Sequence, residues 1–228
     1  MQDRPIEIEG LTVVVIGSFN PAIFHPSWLA MNNLVRKEEA DEAKVDIITR
    51  DVSAFTMNWF NVQVIDQRLS LMTTDPAKHS PLRDLAVGIF SILEHTPIQA
   101  FGLNRDRHIK MIDEHEWHAF GNFFAPKDPW SDILKKPGMR TLVVEGSRDG
   151  GASDAVAVKI EPSLRVTPHG LYVNVQQHYT VTAGTTAEAA TGSAGRFCTA
   201  INSAWADFLS FSDDVTLRLF QKFDESKR

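Results

Sequence analysis

Cysteine is almost missing from this chain, which has a single one, Cys198. A lone cysteine excludes a disulfide within the chain and any zinc site built from several thiolates. Long apolar runs are missing too: the most continuous lies within Leu11–Ile16, far shorter than the ~20 residues that span a bilayer. The start of the sequence, MQDRPIEIEG, is charged and has no apolar stretch, so we expect no signal peptide. We therefore expect a cytoplasmic protein.

Basic residues are fewer than acidic ones. The chain has 23 lysines and arginines against 29 aspartates and glutamates, for a net charge of −6. An acidic chain is poorly suited to nonspecific contact with nucleic acids or anionic membranes, because both of those partners repel it. We expect no membrane partner and no nucleic-acid partner. The hydrophobic content of 43% is ordinary for a globular protein with a sizeable core.

Short strand patterns dominate the chain and are separated by hairpin-sized gaps, which favours antiparallel pairing. Amphipathic helices are predicted at 27–43, 81–93, 113–124 and 197–211 from apolar residues at three-four spacing. The small-residue stretches 146–151 and 182–195 predict loops. The pattern predicts an α+β fold with mostly antiparallel sheet or sheets and with helices packed on one face.

The chain divides into two similar halves in this interpretation. Residues 1–110 form an α+β half, residues 111–137 a helical connector and residues 138–228 a second α+β half. Each half ends in a helix and then a strand, which suggests an internal duplication of a strands-helix-strand unit. The closing strand of the second half is predicted at 215–219, after a stop at 212–214. The alternative is that both halves form one compact domain.

A change of side-chain parity near Trp59-Phe60 predicts a β-bulge or bend. Residues 55, 57 and 59 are apolar before this point, and residues 60, 62 and 64 are apolar after it. Because side chains alternate strictly along a strand, the apolar face cannot change parity without an additional residue.

The first strand leads into the turn GSFNP, which is followed by His25. This turn resembles the opening of nucleotidylyltransferases, in which a strand-to-helix turn and histidines hold phosphate. The sequence departs from that family because His25 stands alone before Pro26, and because the pattern is not that of a doubly wound sheet. We interpret the similarity as coincidental, with Asn20 and the prolines starting helices. The alternative is a nucleotide or phosphate enzyme that uses Ser18, Asn20 and His25.

The densest basic cluster contains Arg105, Arg107, His108 and Lys110. These side chains suit an anionic partner, and Arg105 or Arg107 would assist the alternative enzyme site. Interleaved aspartates weaken the cluster, so a solvated strand edge is the preferred interpretation. We expect no cofactor and no metal.

Two histidines, His115 and His118, lie three residues apart on a predicted helix. They would need a third ligand from elsewhere in the chain to bind zinc. The apolar face of that helix is formed by Trp117, Phe120 and Phe124, which leaves the two histidines toward solvent.

Aromatic residues are concentrated around the connector and the first helix. Trp28, Trp117, Trp130, Phe123 and Phe124 exceed what a connector needs for its own packing, and exposed apolar clusters mark contacts between proteins. They form either a binding surface or the junction between the two halves.

The stretch FGLNRDRHIKMIDEHEWHAFGNFFAPKDPW, from Phe101 to Trp130, resembles a sporadically distributed, uncharacterised family of prokaryotic proteins. That family has two strand-rich halves, joined through a strand motif similar to Gly-Leu-Arg-Tyr-Ile-Asn. Here Asn104 and Arg105 stand where arginine and tyrosine would be expected. The resemblance implies a partner in bacterial accessory or defence gene clusters and brings no established activity.

Together these observations predict a non-catalytic intracellular protein that binds a protein partner or assembles with itself. The expected binding residues are Asn20, His25, Trp28, Arg105, Arg107, His108, Trp117 and Trp130.

Overall fold

A computed structural model describes residues 4–148, 155–181 and 192–227. At its centre lies one nine-stranded sheet in which neighbouring strands are antiparallel. The strands are β1 (Ile6–Gly17), β2 (Lys44–Ile48), β3 (Val52–Thr56), β4 (Asn61–Ile65), β5 (Arg68–Thr73), β6 (Ile98–Lys110), β7 (Leu142–Ser147), β8 (Ala155–Pro162) and β9 (Gly170–Thr180). Their order across the sheet is β2-β3-β4-β5-β1-β6-β9-β8-β7.

The α-helices of the described residues are α1 (Pro26–Met31), α2 (Lys37–Asp41), α3 (His79–Ile92), α4 (Glu114–Phe124) and α5 (Ser193–Glu225). The predicted α+β class with a mostly antiparallel sheet is confirmed. None of the helices in the described ranges combines the length and the apolar character needed to cross a membrane. Of the two predicted loops, residues 149–151 and 182–191 lie outside the described residues, whereas the prediction is wrong for residues 146–147, which lie in β7, and for 193–195, which lie in α5.

The hydrophobic core lies between one face of the sheet and the helices α3 and α5. Alternate residues of the central strands point to this face, because side chains of a strand alternate in direction. Phe197 on α5 packs edge-on against Phe90 of α3 and Phe101 of β6, with ring centroids 5.0 and 5.3 Å apart. Burying one such ring contributes about 1.5 to 3 kcal/mol. The fully buried residues of this layer include Leu11, Val13, Val15, Leu82, Ile89, Leu103, Ile201 and Phe208.

Two similar units meet at the centre of the sheet. In the first unit β1 is followed by short helices, the meander β2–β5 and then α3; in the second β6 is followed by α4, the meander β7–β9 and then α5. In each unit the long first strand pairs with the last strand of its own meander. The two long strands pair with each other. This repeat differs from the predicted strands-helix-strand unit, because β6 begins the second unit instead of closing the first and no strand follows α5 in the described residues. The sheet is continuous across residue 110.

The helix predicted at 27–43 is wrong in extent, because the chain forms two shorter helices there. Between α1 and α2, Asn33 adopts a left-handed backbone conformation with φ of 57°, which asparagine tolerates better than most residues. Of the bulge or bend predicted near Trp59-Phe60, the structure has the bend, at residues 58 and 59, and no bulge. The parity changes at a hairpin turn between β3 and β4, where the N–H of Met57 donates to the carbonyl of Phe60 at 2.8 Å.

The closing strand predicted at 215–219 is wrong, since these residues lie inside α5. Apolar residues at 215, 217 and 219 fit a strand period, but 208, 216, 220 and 223 form the buried stripe of a helix. Ser212 and Thr216 are buried with their hydroxyls satisfied, because these donate within the helix to the carbonyls of Leu209 and Ser212, at 2.8 and 3.0 Å. The predicted stop at 212–214 therefore does not end the helix.

Candidate functional site

The face of the sheet opposite α3 and α5 carries a broad trough of about 740 Å³. Its floor is formed by β1, β6 and β9, and its wall by β7 and β8. The pairing register of β6 and β9 sets facing residues in rows across the floor. These rows are Gly102 with His178, Asn104 with Gln176, and Asp106 with Asn174.

A hydrogen-bonded network connects the deepest rows of the trough. The Asp106 carboxylate accepts from the Tyr172 hydroxyl, and from Asn174 Nδ2 at 2.9 Å. The side-chain oxygen of Asn174, Oδ1, in turn accepts from Gln176 Nε2 at 2.6 Å. Asn174 is buried and Gln176 is exposed. The hydrogen bond to the buried Asn174 therefore fixes the orientation of the exposed Gln176 amide.

The pKa of the Tyr172 phenol is raised well above its usual range. Burial is the main cause, and the hydrogen bond to Asp106 and the negative charge of that carboxylate add to it. Tyr172 therefore stays protonated and donates to Asp106 throughout the physiological pH range. The network works as a rigid set of donors and acceptors.

Gly102 keeps the floor of the trough low beside Asn104. A Cβ at Gly102 would lie 3.6 Å from the Gln177 carbonyl oxygen and 3.9 Å from Asn104 Nδ2. Both are ordinary van der Waals distances, so packing does not require glycine at this position. What its hydrogen side chain provides is open space above the strand.

Charges of both signs surround the trough. Arg68 and His178 lie at one end, and Glu145 lies on the wall. Beside the network, Lys159 forms an ion pair with Glu161 at 2.9 Å and lies 5.7 Å from the centre of the Tyr172 ring. Mixed charge favours a ligand that is itself neutral or mixed in charge over a polyanion.

The two residues predicted around the GSFNP turn serve as helix caps. The side chain of Asn20 accepts the N–H of Ala22 at 3.2 Å at the start of a short 3₁₀ turn, Pro21–Ile23. His25 Nδ1 accepts the N–H of Trp28 at 3.1 Å and caps α1. His25 therefore has a structural role at the start of α1.

The predicted basic cluster is not a solvated strand edge, because β6 lies at the centre of the sheet. Arg105 and Arg107 are 9% and 2% exposed and lie between the sheet and α5. Both form ion pairs with Glu9 and Asp213. Their charges are used inside the fold.

The arginines and the GSFNP turn lie at opposite ends of the central strands. Ile98 faces Gly17 at the start of β6, whereas Arg107 faces Glu9. At ~3.4 Å per residue, Arg107 lies roughly 30 Å along β6 from Ile98. The structure does not bring Ser18, Asn20 and His25 together with Arg105 or Arg107, so the alternative enzyme site is not assembled in this arrangement.

His108 lies beside the network of the trough. Its ring is 4.9 Å from the Tyr172 ring, and its Nδ1 forms a hydrogen bond of 2.7 Å with Ser163 Oγ. Burial, together with the positive charge of Arg165, lowers the pKa of His108. At neutral pH this imidazole is therefore uncharged.

The predicted tryptophans differ in exposure. Trp28 is half-buried against Phe24, with ring centroids 5.7 Å apart. Trp117 is half-buried and donates from Nε1 to the Gly170 carbonyl at 2.9 Å. Trp130 is 50% exposed and has exposed Ile133 and Leu134 close to it in sequence. The structure keeps only the last of the three as a freely accessible surface group.

His115 and His118 lie on α4 and are exposed, as predicted. His118 is 3.7 Å from Glu114 on the same helix. Among the described residues, no three side chains of the metal-binding types converge on one point.

Sequence reasoning missed the trough, although part of the signal was present. The alternation of β9 places Tyr172, Asn174, Gln176 and His178 on one face. What the alternation does not give is the neighbouring strand, and it is β6 that brings Asp106 against Tyr172 and Asn174.

Over the residues that the structure describes, the chain is an α+β protein whose antiparallel sheet has the trough on the face opposite α3 and α5. No protein-family model matches the chain, and no curated protein is significantly similar to it.

Proposed function

We propose that this chain is a non-catalytic binding protein and that the trough holds an extended segment of a protein partner. The observation that carries the proposal is the set of amide and carboxylate rows on the open face. They form a floor that repeats along the strands and is fixed by the network around Asp106.

The spacing of the rows suits a polypeptide backbone. Residues on one face of a strand recur every second position, which is ~6.8 Å along β6. An extended peptide that lies along β6 presents its own N–H and C=O groups with the same two-residue repeat. Asn104 and Gln176 each carry an amide that both donates and accepts, so they match a peptide group better than a phosphate.

The chemistry of the network favours binding over catalysis. Asp106 is engaged by Tyr172 and Asn174. A general acid or base works best with a pKa near the operating pH, whereas the pKa of Tyr172 is shifted away from neutrality. These groups are suited to orienting a ligand.

The proposal is tested with a display library of random, unstructured peptides. Selected peptides are synthesised with a fluorophore, and their affinity is measured by anisotropy. In Gly102→Val a side chain enters the trough and its Cβ makes ordinary contacts, so we expect at least a tenfold loss of affinity without a loss in the free energy of unfolding. Gly138→Val is the matched control, since a Cβ there meets nothing within 4 Å and Gly138 does not line the trough.

Two outcomes would overturn the proposal. One is that the library yields no peptide that binds. The other is that selected peptides bind Gly102→Val as tightly as the wild-type chain.

The nucleotide alternative has its own test. A nucleotide at ~100 times its Kd stabilises its binding protein by ~2.7 kcal/mol. A rise of that size with ATP or NAD would favour the alternative if it disappears in His25→Ala but not in Gly102→Val. The expected role in an accessory or defence gene cluster stays a prediction, to be checked by the genes beside this one.

A further inference from the structure

We propose that β7 is a self-association edge, at which a second copy of this chain continues the sheet through antiparallel pairing of the two β7 strands. This inference rests on the edge strand and its surroundings and is independent of peptide binding in the trough.

The two edges of the sheet differ in how they are protected. β2, at one edge, carries Lys44 and Asp46, and its pairing with β3 contains a register shift between Val45 and Ile47. Charges and bulges of this kind prevent edge-to-edge pairing. β7, at the other edge, pairs with β8 in unbroken register and has Glu145 as its one charged residue.

The apolar side chains of β7 are exposed. Val143 and Val144 are 49% and 57% exposed, on opposite faces of the strand. Val144 faces Val158, which in turn faces the buried Val175. Val144 therefore lies on the face of the sheet that the helices cover. At this edge of the sheet the cover is incomplete, so Val144 is exposed to solvent.

A groove of about 470 Å³, with both apolar and polar lining, lies between the outer strands and α5. Val144, Val156, Val158 and Phe211 are among its lining residues. On its rim Arg148 stacks over Phe211 at 4.3 Å and forms an ion pair with Asp207. A strand added to β7 closes the open side of this groove with its own apolar side chain.

The charge pattern fits a second β7 in the role of that strand. In an antiparallel pair, residues that lie opposite each other are on the same face of the sheet. At the two-fold axis of a symmetric β7 pair, a residue therefore lies opposite the same residue of the second copy. With the axis at Val144, Glu145 faces Val143 of the second copy. With the axis at Glu145 two carboxylates would face each other, which is unfavourable. The axis at Val144 also sets the two Val144 side chains next to each other above the groove.

Sedimentation equilibrium of the whole chain tests the inference. We expect a concentration-dependent species of twice 25.5 kDa for the wild type and a monomer for Val144→Lys, because a charge at this position is desolvated in the pair. Val45→Lys on β2, where the valine is 51% exposed, is the matched control and should leave the dimer unchanged.

Cross-linking tests the register. In a Cys198→Ser background, Val144→Cys should form an intermolecular disulfide, since paired Cα atoms across the axis lie about 4.5 to 5.5 Å apart. In the same background Val143→Cys should not, because its Cα atoms would be roughly 8 Å apart. A wild-type chain that stays monomeric at high concentration would overturn the inference. So would a dimer that survives Val144→Lys, or one that is lost in Val45→Lys.

Discussion

Replacing Glu116 by glutamine probes the ionic cluster that ties the start of the chain to α4 and the end of α5. Glu116 is 7% exposed at its side chain and accepts from Arg4 at 2.7 Å and Lys227 at 2.9 Å. Its other oxygen accepts the N–H of Ile112 at 3.1 Å. Arg4 also bonds to Asp224 at 2.6 Å, so one carboxylate holds three segments of the chain together.

The size of the effect follows from the pKa of Glu116. Burial by itself raises this pKa, but the hydrogen bonds from Arg4 and Lys227 outweigh burial and lower it from 4.5 to about 2. A carboxylate with a lowered pKa stabilises the fold fully above its unfolded value and loses that contribution as pH falls toward the folded value. The shift corresponds to ~3 kcal/mol. Because Asp224 remains beside Arg4, we expect Glu116→Gln to cost about 2 to 3 kcal/mol at pH 7.

Urea unfolding of the wild type and Glu116→Gln at pH 7, 4.5 and 3 measures this contribution. The difference between their free energies of unfolding should be largest at pH 7 and should shrink between pH 4.5 and 3. Glu114→Gln, on the same helix but exposed, is the control and should change stability by less than about 0.5 kcal/mol. A difference that is absent at pH 7, or that stays constant down to pH 3, would refute the reasoning.

Substitutions at three more positions test the cap of α1 and two buried titratable side chains. His25→Ala removes the cap of α1 and should lower the free energy of unfolding by ~1 kcal/mol in urea, whereas His25→Asn, which also caps, should retain most of it. Arg107→Leu should cost about 3 to 5 kcal/mol in the same assay, because it leaves the buried Glu9 with one arginine fewer and removes the donor to the Ser212 carbonyl and the Thr216 hydroxyl; a cost below 1 kcal/mol would contradict that role. Burial and the charge of Arg105 lower the pKa of His79, so its contribution is complete above pH ~6.5 and falls on acidification. Between pH 7 and 5 the thermal midpoint should therefore drop less in His79→Leu than in the wild type.

Local pattern was enough to predict most of the fold. The alternation of β9, the three-four spacing of α3 and the hairpin-sized gaps gave the α+β class and the antiparallel sheet. The pattern failed at residues 215–219, where apolar side chains fit two periods. A strand requires a second strand to pair with, and an amphipathic helix requires a surface that buries its apolar side. The sheet beneath α5 supplies that surface, so these residues form a helix.

The candidate site was less accessible to sequence reasoning. The arginines of β6 were predicted to lie at a solvated strand edge, because the sequence around them does not show that β6 pairs with a strand on each side. His25 was predicted as a binding residue, and its role as a cap was missed because a cap is a contact with a backbone N–H, which the residue pattern does not display. In the network, Asp106 is bonded to two residues that lie 66 and 68 positions further along the chain. These residues form a site only because the register of β6 and β9 places them side by side.

Local pattern indicated which residues alternate along the strands and which segments are amphipathic helices, and composition excluded a disulfide within the chain, because these properties depend on sequence neighbours or on residue counts. Tertiary structure decided which strands are central, which charges are buried and which face of the sheet stays open. Those outcomes depend on long-range pairing: Glu9 lies opposite Arg107 and Asp106 opposite Asn174, and no local preference of either partner specifies the other.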